Sequence, residues 1–165
     1  MTWRGEIVTQ KAAFPAIVIE CVTPVVDGGR YPVKRVIGEQ LEVGADIFKD
    51  GHDLLSAQVL YRGPGDTGWH AAPLRFVYDD DRWYGAVPLD RIGPWRFTIE
   101  AWVDAFATWR TELEKKFAAG QSVDSELLEG AELVHQASRH ARGESRDALD
   151  AAAAQLAAAG HPAAS

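Results

Sequence analysis

The sequence predicts a mainly β chain with an α appendage: an immunoglobulin-like antiparallel β-sandwich followed by a small C-terminal helical bundle. Three observations predict it. Six alternating apolar segments recur at roughly ten-residue spacing before residue 104. Turn clusters rich in glycine, proline and aspartate separate them, with no helical period between. After Asp104, alanine, leucine and charge replace glycine and the β-branched residues.

The strand segments follow in order. "AIVIECV" sets Ile17, Ile19 and Cys21 against Val18, Glu20 and Val22. On that alternation Cys21 is expected to be a small core residue. "QLEVGADIF" carries Leu41, Val43, Ala45 and Ile47 on one face, and "SAQVLYR", "LRFVYD", "DRWYGAVPL" and "PWRFTIEAWVD" complete the set. The turns are "VDGGRYP", "KDGHD", "RGPGDTG", "DDD" and "RIGP". Most are short enough for hairpins, and a sandwich of about seven strands is expected.

Helical spacing then takes over. Phe106, Trp109, Leu113 and Phe117 fall on one helical face. Arg110 with Glu114, and Glu112 with Lys116, stand four residues apart on other faces, and Gly120 marks a stop. A second helix is expected over about residues 122–142, with Val123, Leu127, Ala131, Val134 and Ala141 along a stripe. Gly130 inside it costs about 1 kcal/mol against alanine, so close packing is expected there. A third begins near Ser145 and carries Leu149 and Leu156. The expected organisation is an N-terminal arm over residues 1–15, the sandwich over 16–106, the bundle over 107–160 and a frayed tail over 161–165.

Composition excludes several classes of function. A formal charge of −7 opposes nucleic-acid and anionic-membrane partners, which need a basic face. One cysteine cannot form an intrachain disulfide framework and suits a reducing compartment. The start, "MTWRGEIVTQKAAF", has no apolar run of signal-peptide length, and no apolar run is long enough to span a bilayer. A cytoplasmic protein is expected.

Motifs that could carry chemistry are few. "GPGDTG" spaces three glycines as a dinucleotide loop does, but "WHAAPLRF" follows where a helix must open, so a hairpin loop is expected. Asp79, Asp80 and Asp81 are adjacent in one turn, whereas paired glycosidase carboxylates flank a sugar from two sides. His52, His70, His135, His140 and His161 form no helical i,i+4 pair, so no metal site is expected. No catalytic residue and no cofactor is expected.

Six tryptophans stand above background. Trp69 and Trp83 are candidate platforms for a sugar ring; burial in a core competes with that reading. Phe97, Ile99, Ala101 and Val103 alternate on one strand face, which leaves Trp102 on the other. Trp102, Phe106, Trp109 and Leu113 are therefore expected to form a structural seam between helices and sheet. Leu127, Leu128 and Val134 are expected at or near a dimer contact, because an alanine-rich bundle buries little area.

Three stretches carry a family resemblance. "VIECVTPVVDGGRYPVKRVIGEQLEVGADIFKDGHD", "RIGPWRFTIEAWVDAFATWRTELEKKFAAGQ" and "ELLEGAELV" resemble the N-terminal region of the bacterial glucan maltosyltransferases, which extend α-1,4-glucans from maltose 1-phosphate. The resemblance spans residues 16–159. It implies a β-sandwich carrying a helical insertion that takes part in homodimerisation. It also implies a parent enzyme of the α-amylase clan, several times longer, whose nucleophile and acid carboxylates sit in a TIM barrel after this region. The barrel and the chain's return to the sandwich are absent here, so the resemblance implies an unpaired sheet edge and no transferase activity for this chain alone. The expected role is that of a non-catalytic accessory and dimerisation domain in α-glucan synthesis, partnered by a second copy and by the rest of the parent enzyme. The alternative is a carbohydrate-binding β-sandwich module for α-glucans.

Overall fold

The computed structural model describes residues 17–161. The expected arm over residues 1–15, and the tail beyond His161, lie outside them. The chain divides into two compact units on either side of the Trp102–Val103 bond.

The first unit is one six-stranded antiparallel sheet: β1 Val18–Thr23, β2 Gln40–Phe48, β3 Leu55–Arg62, β4 His70–Val77, β5 Arg82–Pro88 and β6 Arg96–Val103. Strand order is β1-β2-β5-β4-β3-β6. β3, β4 and β5 form two consecutive hairpins and β6 returns beside β3, which is a Greek key. β5 and β4 separate β2 from β3 in the sheet, yet Val43 of β2 and Val59 of β3 share one buried core. The sheet therefore curls toward a barrel until its inner faces meet, giving the two facing layers a sandwich requires. Phe97 and Ile99 of β6 close that core, and Ile99 and Ala101 also pack on Ala45, Ile47, Ala57 and Leu74.

The period-2 reading holds best in β2, where Leu41, Val43, Ala45 and Ile47 are all buried. It fails in β1. Cys21 is exposed, not a core residue. The β1–β2 register shifts between Glu20 and Thr23, and Cys21 itself has φ +50°. This irregularity inserts a residue and reverses the parity of the strand. Hence Ile17 before it and Val22 after it both pack on the core. β4 also starts earlier than the hydrophobic run suggests, because Pro73 sits inside it. Opposite, Gly85 leaves room for the chain: a Cβ there would lie 2.9 Å from the Pro73 carbonyl oxygen.

The second unit has three helices, α1 Ala105–Ala118, α2 Asp124–Ser138 and α3 Glu144–Ala159. Asp104 caps α1, its Oδ1 accepting from the Ala107 N–H at 2.8 Å. α2 ends four residues before the expected Arg142, so Ala141 lies outside it. There the Ser138 hydroxyl donates to the His135 carbonyl, and the His140 and Ala141 amides bond three residues back, tightening the chain into a turn. Of the two predicted i,i+4 pairs, Arg110–Glu114 forms at 3.9 Å. Lys116 instead bonds Glu126 of α2, whose nearly buried carboxylate gains more from a cation than the exposed Glu112 does.

Candidate functional site

The β unit carries a cleft of about 790 Å³, within the size range of small-ligand sites. One wall is the irregular segment between β1 and β2. It turns at Asp27–Gly29, where Gly28 and Gly29 adopt positive φ, and returns through a Val26–Tyr31 bridge. The Glu39 carboxylate accepts from the Val36 N–H at 3.3 Å, and the Gly38 N–H donates to the Leu89 carbonyl at 2.7 Å. The first bond is internal to the segment; the second, with the Leu89 N–H donating to the Glu39 carbonyl at 3.0 Å, ties it to the residue after β5.

The opposite wall joins two loops. "GPGDTG" is the β3–β4 hairpin loop, as its sequence predicts, and no helix follows it. Asp66 within it accepts from the Gly63 N–H at 2.7 Å and takes Arg91 in a two-point pair at 2.8 and 3.1 Å. Arg91 also donates to the Pro64 carbonyl at 2.8 Å. The Arg91 hydrogen bonds hold the Asp66 carboxyl well below the usual carboxylate range, and Asp66 in turn holds Arg91 protonated. Trp95 completes the clamp: its Nε1 donates to the Arg91 carbonyl at 3.1 Å, and its ring covers Gly63 so closely that a Cβ there would come within 2.7 Å.

Arg91 and Trp95 of this clamp line the cleft. Arg62, at the end of β3, lies over the Trp69 ring with its guanidinium carbon 4.7 Å from the centroid. Trp69 is 45 % exposed and Tyr31 on the facing wall 53 %. Arg35, Arg62, Arg91 and Arg96 all line the cleft, and among the described residues no carboxylate does. Chemically the cleft offers flat aromatic rings and charged guanidinium donors, with no carboxylate side chain of the described residues among its lining.

The remaining predicted residues distribute as follows. Trp83 is half-buried, packs on Phe76 and the core, and donates Nε1–H to the Ile47 carbonyl at 3.2 Å. Trp109 is buried within the helical unit, with Phe106 against its ring at 5.2 Å. Leu113 is partly covered, while Phe106, Phe117 and Trp102 are exposed. Val134 is buried among the helices, Leu127 is partly covered and Leu128 is exposed.

A second group lies at the β1 irregularity. Donor atoms of Glu20, Cys21 and Asp46 fall within 4.8 Å of one another. Arg82 already supplies the positive charge there, its Nε 3.3 Å from Asp46 Oδ1 and its Nη2 donating to the Cys21 carbonyl at 2.7 Å. The thiol hydrogen bond to Asp46, and the charge of that carboxylate, push the Cys21 thiol up. Asp79, Asp80 and Asp81 form the β4–β5 hairpin turn, with Asp81 at φ +53°. Sequence reading missed the arginine cleft, because its members come from residues 31 to 96 and no local spacing joins them.

A curled Greek-key β unit bearing an aromatic–arginine cleft, followed by a three-helix unit, defines the class of protein. The particular family follows from comparison: the chain belongs to the family described as alpha-1,4-glucan:maltose-1-phosphate maltosyltransferase, domain N/S, whose model matches residues 15–165. Among its relatives is the alpha-1,4-glucan:maltose-1-phosphate maltosyltransferase of Myxococcus xanthus, 48 % identical over 131 residues, which are 77 % of this chain and 20 % of that protein. The protein of the same name from Chlorobaculum tepidum is 42 % identical over 133 residues, 81 % of this chain and 20 % of its own. The Streptomyces coelicolor enzyme numbered 1 is 40 % identical over 146 residues, 87 % of this chain and 22 % of its own. The chain thus spans about one fifth of the length of the curated relatives it matches. No helix among the described residues is long and apolar enough to cross a membrane.

Proposed function

We propose that this chain is the accessory and dimerisation region of an α-1,4-glucan:maltose-1-phosphate maltosyltransferase acting in cytoplasmic α-glucan synthesis. The observation that carries this reading is the family match over residues 15–165, against relatives bearing that name of which the chain covers one fifth. Glycosyl transfer belongs, on this reading, to the rest of the parent enzyme. Exposed apolar side chains on the helices support the association role: Phe117 is 74 % exposed, and Phe106 and Leu128 are open as well. A two-fold pairing covers such a surface with its own copy.

Sedimentation equilibrium of this chain over a wide concentration range tests the dimer. Self-association that Leu128→Glu or Phe117→Glu weakens is the expected result; a monomer throughout overturns it. Incubation with maltose 1-phosphate and a glucan acceptor tests the division of labour. Phosphate release above a buffer control would overturn the accessory reading.

A further inference from the structure

The cleft of the β unit has a composition that neither packing nor the accessory role explains. The whole chain carries a formal charge of −7, yet among the described residues four arginines and no carboxylate line this one concavity. Arg91 is committed to Asp66 and Asp90. For Arg35, Arg62 and Arg96 no carboxylate partner exists among the described residues: Arg35 donates to the Lys34 carbonyl, and Arg62 rests on Trp69. Three guanidinium groups thus line one cleft without a carboxylate partner among the described residues, Arg35 from the β1–β2 segment and Arg62 and Arg96 from β3 and β6.

We propose that this cleft binds a phosphorylated saccharide, its phosphoryl group taken by Arg62 and Arg96 and its sugar ring laid on Trp69 or Tyr31. Guanidinium forks match phosphate oxygens two at a time, and Arg62 and Arg96 have no carboxylate partner among the described residues. A neutral glycan is recognised by donors and acceptors together, because every sugar hydroxyl is both. A cleft lined by several arginines and, among the described residues, by no Asp or Glu side chain favours an anion. The aromatic rings add what a bare phosphate site lacks, a flat apolar surface of pyranose size. The proposal stands on the cleft and goes beyond the accessory role, so it holds or falls independently of dimerisation and of transfer activity.

Titration of this chain, followed by tryptophan fluorescence and calorimetry, tests it. The probes are maltose 1-phosphate, a phosphorylated dextrin, maltotetraose and inorganic phosphate. Saturable binding of a phosphorylated probe is expected, about tenfold tighter than maltotetraose or inorganic phosphate. Tighter binding of maltose 1-phosphate identifies a soluble sugar phosphate as the ligand; tighter binding of the dextrin identifies a phosphorylated glucan. Arg96→Gln, at an exposed position, and Arg62→Gln are each expected to weaken binding about tenfold, with the far-UV circular dichroism of Arg96→Gln unchanged. The proposal is overturned by absence of saturation with either phosphorylated probe up to about 10 mM. It is equally overturned if maltotetraose or inorganic phosphate binds as tightly, or if folded Arg96→Gln binds like the parent.

Discussion

The indole of Trp109 on α1 lies directly on Gly130 of α2: a Cβ built on Gly130 would come within 2.0 Å of the ring. At the same point Trp109 Nε1–H donates to the Glu126 carbonyl at 2.6 Å. This close contact of α1 with α2 therefore depends on a residue with no side chain, placed where helix propensity alone would favour alanine.

Gly130→Ala is expected to destabilise the helical unit despite gaining about 1 kcal/mol of intrinsic helix propensity. The added methyl forces Trp109 or the helix to move, and overpacking of this kind costs about 1–3 kcal/mol. Urea denaturation followed at 222 nm measures the balance. A variant more stable than the parent would show that the indole can move away at no cost.

Trp109 contributes both area and a hydrogen bond, and two substitutions separate them. Trp109→Ala is expected to cost about 3–5 kcal/mol. Trp109→Phe keeps much of the apolar contact and leaves the Glu126 carbonyl, already bonded within the helix frame, without its second donor. Its cost is expected to be smaller, about 1–3 kcal/mol. Equal losses in the two variants would assign the whole effect to the hydrogen bond.

Acid is expected to weaken both units, for the same reason in each. Arg91 holds the Asp66 carboxyl below its ordinary value of 3.8, and the Lys116 hydrogen bond likewise lowers Glu126 from 4.5. A carboxylate whose folded pKa is depressed contributes stability that is fully present above its unfolded pKa and is lost as pH falls below it. Melting temperature is therefore expected to be level near neutrality and to fall as the pH drops through about 4. Asp66→Asn should lower the neutral-pH melting temperature of the β unit and flatten its acid limb. An unchanged acid limb in that variant would remove Asp66 as a cause.

Cys21 is exposed, but Asp46 raises its pKa, so little of it is thiolate at neutral pH. Its reaction with a thiol-specific disulfide reagent is expected to reach one equivalent in the native protein, more slowly than free cysteine at the same pH. Asp46→Asn should speed it. A thiol that reacts only after denaturation would restore the core position suggested by alternation in β1.

Much of the fold is legible along the chain, because the signals involved are local. The alternation of Leu41, Val43, Ala45 and Ile47 marks β2, and the spacing around Trp109 marks α1. "DDD" and "GPGDTG" mark hairpin turns because aspartate and glycine tolerate tight backbone, and Gly130 signals close packing by its propensity cost alone. What the sequence leaves open depends on atoms distant along it. The order β1-β2-β5-β4-β3-β6 follows from which apolar faces meet when the sheet curls, and alternation is the same for every order. The outward turn of Cys21 comes from one register shift against β2, invisible in a strand read by itself. Lys116 chooses Glu126 over Glu112 because the near-buried carboxylate on the neighbouring helix gains more from a cation than one facing water. The cleft is the plainest case. Asp66 and Arg91 stand 25 residues apart, and Tyr31, Trp69 and Arg96 come from three separate segments. Sequence determines that these rings and charges exist; only the closure of the sheet sets them around one concavity, because that distance is fixed by core packing between strands and not by spacing along any of them.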